Sequence, residues 1–329
     1  MKNKTEKIHR EGSLEESLLA LSGINDQEIS TYVKGLDQIQ EDFLSWLKGG
    51  SKAETLAESL FLYLWKDKQM RFNNNFLLKD VIDSQLNKNP FVPVGNCLGL
   101  TSLYTVLGLR NGLNIFIIEK RNHVLNKLYE GEESILVENT ERDGFGIREN
   151  YLKFQLGMRQ EQEFRETSPN GLVALSYASR GVMKMNKGLI EAAIRDLDTA
   201  ILLDPSYAMA YNNRGNARLM SYDISRAIED YDAALAVDPE CSFAYINRAA
   251  AKRISGLLEG ALTDSDKAVE LDPKNAGAYS NRGNIRFELG DIKGALEDYE
   301  IALRIEPDNE VALRNKRMAE AEVKRLQTL

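Results

Sequence analysis

The chain holds two cysteines and two histidines, and one of each stands where chemistry could use it. Cys97 lies in VGNCLGLTSLYTVLGLR, between Asn96 and an apolar run that reads as a helix. The unpaired N–H groups and the positive end of the dipole at a helix start favour a thiolate, and only the thiolate is a good nucleophile. His123 opens the strand-like run HVLNKLYE, and Glu138 closes the next run, SILVENT. An imidazole on a neighbouring strand can accept the thiol proton, and a carboxylate beyond it can fix the ring's tautomer and orientation. The chemistry implied is attack of sulfur on an acyl carbon. Taken singly, a cysteine on an apolar helix is usually a small hydrophobe and a histidine at a strand start an ordinary polar contact. The order Cys, His, Glu on a helix and two successive strands is what raises the pattern above that reading.

These residues need elements to position them. SLEESLLALSGI reads as a short helix with Ser13 as its cap, and DQEISTYVKGLDQIQEDFLSWLKGG as a longer one with Ile29, Val33, Leu36, Ile39, Phe43 and Leu47 on one face. SKAETLAESLFLYLWKD follows the Gly49-Gly50 break as a third helix. Residues 71 to 96, with Asn73 to Asn75, Pro90 and Pro93, read as a loop-rich approach to Cys97. Beyond the apolar helix, which ends near Gly108 to Gly112, LNIFIIE, HVLNKLYE and SILVENT read as strands. The turn YEGEES makes the last two an antiparallel hairpin.

GNCLGLTSLYTVLGLRNGL, NHVLNKL and ILVENTERDGF together resemble the transglutaminase-like cysteine superfamily in its compact bacterial form, over about residues 75 to 150. The resemblance implies an α+β, papain-like domain in which Cys97 is the nucleophile, His123 the general base and acid, and Glu138 the group that orients His123. It also implies oxyanion donors, for which the Cys97 backbone N–H, aided by Asn96 or Gln85, is the candidate. Many relatives carry Asp where this chain has Glu138, and Asn139 next door is an alternative partner for the imidazole.

The C-terminal half repeats itself. Pro205, Pro239, Pro273 and Pro307 recur every 34 residues, each after an acidic residue, and four units tile residues 174 to 309 without gaps. Each unit has an aromatic near its start and small residues at fixed offsets: Tyr177, Gly181, Ala193 and Ala200 in the first, Tyr279, Gly283, Ala295 and Ala302 in the last. Small residues permit close helix crossings, the tyrosines are expected to fill the gaps between them, and the proline ends the second helix. Each unit is thus a helical hairpin. Arg180, Arg214, Arg248 and Arg282 share one offset, with Asp196, Asp230, Asp264 and Asp298 sixteen residues later, a spacing suited to a ladder of ion pairs within or between hairpins. The spacing resembles that of the tetratricopeptide repeat family and implies an all-α solenoid.

Met209, Asn212, Asn213, Asn216, Phe243, Ile246, Asn247, Arg253, Asn281, Asn284 and Phe287 on the first helices are the candidates for a concave peptide-binding groove. The resemblance to repeats that clamp a peptide's terminal carboxylate reaches Asn216 and Asn247, but the lysine one turn before Asn216 is replaced by Asn212. The tail EVALRNKRMAEAEVKRLQTL reads as a capping helix with Val311, Leu313, Met318, Ala321 and Leu326 apolar or small.

With 329 residues and a net charge of −8, the chain has room for two cores and no general affinity for nucleic acid or anionic membrane. Absence of an 18-residue apolar run argues against a membrane span, and the first residues are too interrupted by Glu for a secretory signal. Two cysteines far apart fit a reducing cytoplasm, with Cys241 merely the last position of a repeat and His9 a leader residue. There is no GxxxxGK[ST], GxGxxG, HExxH or paired CxxC, and Glu132-Glu133 reads as a solvated turn, so no cofactor and no metal are expected. The organisation read from these signals is a flexible leader (1–12), a transglutaminase-like domain with N-terminal helices (13–160), a linker (161–173), four repeats (174–309) and a capping helix (310–329). The function that follows is a cysteine-dependent acyl transferase or amide hydrolase whose repeats recruit a protein or peptide. A non-catalytic adaptor with a degenerate N-terminal domain is the alternative, and contact between the two domains, the array covering the cleft, is left open.

Overall fold

The computed structural model describes residues 13–49, 55–66, 77–87, 94–120, 123–130, 133–139, 145–146 and 165–327. The leader, His9, residues 71–76 and 88–93 of the loop-rich approach, Glu132 and the first residues of the expected linker lie outside them. The chain divides into two compact units between Tyr177 and Ala178.

In the first unit, helices α1 (Leu14–Ala20), α2 (Asp26–Lys48) and α3 (Leu56–Trp65) form where the apolar spacing predicts them. Ser13 and Asn25 each close a capping box with the glutamate three residues on. A fourth helix, α4 (Leu78–Leu86), stands inside the stretch read as loop. Its neighbouring asparagines masked a helical spacing: Leu78, Val81 and Ile82 are buried on one face, against α2 and α5.

Helix α5 (Cys97–Arg110) is the centre of this unit, with every residue from Leu98 to Gly108 buried. Such an all-round apolar helix must be enclosed. On one side lie α3 and α4, the Tyr104 hydroxyl donating to the Ala57 carbonyl at 2.9 Å. On the other lies an antiparallel sheet of β1 (Ile115–Lys120), β2 (His123–Glu130), β3 (Glu133–Val137) and β4 (Arg165–Thr167), in the order β3-β2-β1-β4. The expected hairpin is present, Asn126 pairing with Val137 and Leu128 with Ile135. A Cβ on Gly108 would sit 2.2 Å from Ile115 Cδ1, so glycine lets β1 fold back closely on the helix. Arg110 ends α5 with a two-pronged bond to Glu15, at 2.9 and 2.7 Å, and a third bond to Asp37 at 2.8 Å, fixing the helix to α1 and α2.

β4 corrects the reading of residues 161–173 as linker. Arg165 pairs with Glu119 of β1 both in register and through a 2.8 Å ion pair, while Glu166 receives Lys127 and Tyr129. Burial of Glu119 makes its arginine necessary, because an unpaired buried carboxylate is costly.

The second unit contains the helical hairpins. α6 (Gly171–Asn186), which spans the division, pairs in sequence with α7 (Ile190–Leu203). Then come α8 (Ala208–Met220) with α9 (Ile224–Val237), α10 (Ser242–Ile254) with α11 (Leu258–Leu271), and α12 (Ala276–Glu288) with α13 (Ile292–Ile305). Each repeat proline falls two residues beyond the second helix. Close crossings are made as expected, and rings from both helices of a hairpin pack at them. A Cβ on Gly215 would meet Tyr231 at 2.6 Å and one on Gly283 would meet Tyr299 at 2.7 Å, both second-helix residues. The tyrosines at the unit starts pack against the small residues too, Tyr211 and Tyr245 against Ala234 and Ala244 and Tyr279 against Ala276 and Ala302, with the ring centres of Tyr211, Tyr245 and Tyr279 lying 5.7, 5.5 and 5.5 Å from the guanidinium carbons of Arg214, Arg248 and Arg282.

The ion-pair ladder runs both within and between hairpins. Arg214 binds buried Asp230 of its own hairpin at 2.6 Å and exposed Asp198 of the preceding one at 2.7 Å. Arg248 repeats this with Asp264 and Asp232, and Arg282 with Asp298 and Asp266. In the terminal helix α14 (Glu310–Gln327), Lys316 continues the outer rail to Glu300 at 3.0 Å. That helix turns a different face inward from the one expected: Ala312 and Ala319 are fully buried, whereas Val311, Met318 and Leu326 are exposed. Ala312 and Ala319 stand 34 residues after the buried Ala278 and Ile285, so the array's own register sets the face.

Candidate functional site

Cys97 is the first residue of α5, directly after its cap: the Asn96 side-chain oxygen accepts from the Gly99 N–H at 3.0 Å. The cysteine is half-buried and unbridged. His123, the first residue of β2, and Glu138, the residue after β3, are fifteen apart in sequence and joined by hairpin pairing. His123 Nε2 hydrogen-bonds Glu138 Oε2, and the imidazole also hydrogen-bonds Cys97. The histidine side chain is 25% exposed and the glutamate 4%, so the ring reaches solvent while its carboxylate partner is enclosed.

Burial alone would push the imidazolium down. Hydrogen bonds to Cys97 and Glu138, together with their charges, outweigh it and raise His123 to about 10. The ring is therefore held in its charged form between two acceptors, an arrangement that can transfer a proton to a leaving group near the sulfur.

Glu138, not Asn139, is the partner of the imidazole. Asn139 faces the other way: its Nδ2 donates to Asn126 Oδ1 at 2.7 Å. Asn126 Nδ2 then donates to Thr105 Oγ1 at 2.7 Å, Thr105 Oγ1 to the Thr101 carbonyl at 2.7 Å, and Thr101 Oγ1 to the Val124 carbonyl at 3.1 Å. All four side chains are buried. None of Thr101, Thr105 or Asn126 stands out in a search for reactive groups. A signal was nevertheless present: alternation in HVLNKL puts Asn126 on the same strand face as Val124 and Leu128, and two threonines lie one turn apart on the facing helix.

Asn96 caps α5 through its oxygen, and Gln85, on α4, gives its amide nitrogen to the Leu64 carbonyl at 3.4 Å. Among the described residues no group of three or more His, Cys, Asp or Glu side chains could hold a metal ion, and no helix is long and apolar enough to cross a membrane.

Of the groove candidates, Met209, Asn213, Asn216, Phe243, Ile246, Asn247, Arg253, Asn281, Asn284 and Phe287 are half-buried. Asn212 is buried, accepting from Asn247 Nδ2 at 2.9 Å, so it serves contact between hairpins rather than an open groove. Asn216 and Asn284 accept the hydroxyls of Tyr231 and Tyr299, each at 2.8 Å, Asn281 donates to the Ile246 carbonyl, and Arg253 pairs with Glu288. Much of the expected amide surface is thus spent on holding the array.

Comparison with known proteins finds family models described as "Tetratricopeptide repeat" at residues 184–240 and 276–309 and as "TPR repeat" at 249–290. Among solved structures, the first TPR of Spaghetti (RPAP3) bound to the HSP90 peptide SRMEEVD is 30% identical, with 36% of this chain and 93% of that one covered and a TM-score of 0.35. The TPR domain of Arabidopsis OM64 is 30% identical, covering 35% and 95%, with a TM-score of 0.34. The Sgt2 TPR domain from Aspergillus fumigatus is 31% identical, covering 37% and 82%, with a TM-score of 0.36. No curated protein matches the chain. Helical hairpins at a 34-residue period, prolines past each second helix and family models over residues 184–240 and 249–309 agree: the C-terminal region is a tetratricopeptide repeat array.

Proposed function

We propose that the N-terminal unit is a cysteine-dependent acyl-transfer or amide-hydrolysing domain of the transglutaminase-like, papain-like kind, and that the repeats recruit the protein or peptide it acts on. The observation that carries this is the contact of His123 with both Cys97 and Glu138. With Nε2 taken by Glu138, Nδ1 is the ring nitrogen free for the sulfur. The Cys97 thiolate attacks a carboxamide carbonyl, and the C–N bond breaks as His123 delivers its proton to the departing amine. Water or a second amine then attacks the thioester, giving its proton to His123 and releasing the thiolate. The backbone N–H of Cys97, in the first turn of α5, is the candidate donor to the developing oxyanion.

Protein–protein interaction is the role that tetratricopeptide repeats suggest, and the half-buried Asn213, Phe243, Ile246 and Phe287 offer mixed amide and apolar contacts on the first helices. Both cysteines are unbridged, which suits a reducing compartment such as the cytoplasm.

Alkylation of Cys97 with iodoacetamide near pH 6 tests the chemistry. A rate well above that of free cysteine, lost on His123 substitution, is expected; a thiol no faster than free cysteine overturns it. Cys97→Ala separates this from the adaptor reading, since it abolishes turnover in the first case and leaves every measurable function unchanged in the second.

A further inference from the structure

The residues tied together by the buried polar chain are the immediate neighbours of those that would do the chemistry. Asn139 follows Glu138, Val124 follows His123, and Thr101 and Thr105 stand one and two turns after Cys97 on α5. The chain therefore closes a circuit among the three segments that meet at the site. It is also directional: Asn139 Nδ2, Asn126 Nδ2 and the two threonine hydroxyls each donate along it at 2.7 to 3.1 Å, and Asn139 Nδ2 makes a further, longer bond to the Val137 carbonyl at 3.5 Å. A buried network of this kind tolerates few alternatives, because any slip strands a donor or acceptor away from water.

The physical issue it resolves is which of two consecutive residues meets the imidazole. In extended chain, successive side chains point to opposite faces, so a shift of one residue exchanges Glu138 for Asn139. Strand pairing of β2 with β3 ends at Asn126↔Val137 and leaves both residues beyond the ladder. From Asn126 the remaining tie is side chain to side chain.

We propose that Asn126 is the positioning residue of this site: by holding Asn139 inward and gripping Thr105 on the cysteine helix, it turns Glu138 to His123 and sets the approach of the imidazole to Cys97. This rests on the cysteine-dependent reading above. Asn126 touches none of the reacting atoms. It acts by selecting a carboxylate over an amide as the imidazole's partner, and a carboxylate stabilises the imidazolium where an amide does not.

The test uses the full chain with Asn126→Leu, which keeps the side chain's size without its hydrogen bonds, and the pair Thr105→Val and Thr105→Ser, which remove and restore one hydroxyl. Fold is followed by far-ultraviolet circular dichroism and thermal unfolding, Cys97 by iodoacetamide alkylation from pH 5 to 10, and His123 by imidazole NMR, where His9 is the single other signal. In Asn126→Leu and Thr105→Val the His123 titration is expected to fall toward that of a free imidazole and the alkylation rate at pH 6 to drop about tenfold or more, the scale of effect that small misplacements produce. Thr105→Ser is expected to stay within about twofold of the parent, since it keeps the hydroxyl that the network needs. Folded Asn126→Leu and Thr105→Val proteins with the parent's titration and alkylation profile overturn the inference while leaving the proposed function standing. If Asn126→Leu does not fold, a Thr105→Val that behaves as the parent overturns the inference, and one that loses reactivity restored in Thr105→Ser supports it. A parent chain whose Cys97 reacts no faster than free cysteine overturns the proposed function itself.

Discussion

The two units solve the same problem, bringing charged groups together in partly buried places, by opposite routes. In the repeat array every rung joins residues sixteen apart, Arg180 to Asp196 through Arg282 to Asp298, and the links between hairpins recur as well, Arg214 to Asp198 and Arg248 to Asp232. In the first unit, Arg110 reaches back to Glu15, Tyr104 to Ala57, and Thr101 forward to Val124, with no repeated offset. The array can lose a rung and keep its neighbours' geometry, because stability there is a sum of local terms. Among the described residues nothing comparable protects the site around Cys97, where each tie is made once.

Substitutions should break this contrast in a graded way. The largest effect on stability is expected from Tyr299→Ala, which empties a buried ring site beside Gly283 and removes the bond to Asn284, at a cost of about 3–5 kcal/mol. Measured by urea unfolding, the loss should fall on the array, and iodoacetamide labelling of Cys97 in native conditions should stay at the parent rate. Labelling that changes with it would mean that the two units are coupled.

Next comes His123→Gln. A free thiol is about one part in three hundred thiolate at pH 6, so removing the imidazole should slow alkylation of Cys97 by about a hundredfold there. Repeat-array unfolding should be unchanged.

Stability of the first unit should also depend on pH through the same ring. His123 is held above its ordinary value, so its charged form contributes fully below about pH 6.5, and the contribution disappears as pH rises through about 10. Thermal unfolding of the parent and of His123→Gln should accordingly differ most below that range and converge above pH 10. A difference that grows with pH would contradict the contacts to Cys97 and Glu138.

The smallest effect is expected from Asn213→Ala. A half-buried first-helix amide should change stability by less than about 0.5 kcal/mol, so any change in capture of a bound peptide would report on the groove itself.

Legibility followed the same divide. Hairpin boundaries, the proline stops and the arginine–aspartate ladder were readable because a period of 34 residues shows each contact four times over. Cys97, His123 and Glu138 were readable as types in order, and the contacts among them follow that order. Helix α4 was not, since Asn and Pro around it outweighed three buried apolar residues, and neither was β4, whose three residues take their conformation from β1. Asn126 carried no chemical signature and becomes informative only when Thr105 and Asn139 are seen on either side of it.

Residue order alone thus dictated the array and the inventory of reactive groups, because helical periodicity and repeat spacing are properties of neighbours along the chain. Packing in three dimensions decided which neighbour of a pair faces the imidazole, which face of α14 is covered, and that Tyr231 and Tyr299 of the second helices meet Gly215 and Gly283. Those choices depend on the volume and hydrogen-bonding needs of segments far apart in sequence, and such needs exist only once the segments meet.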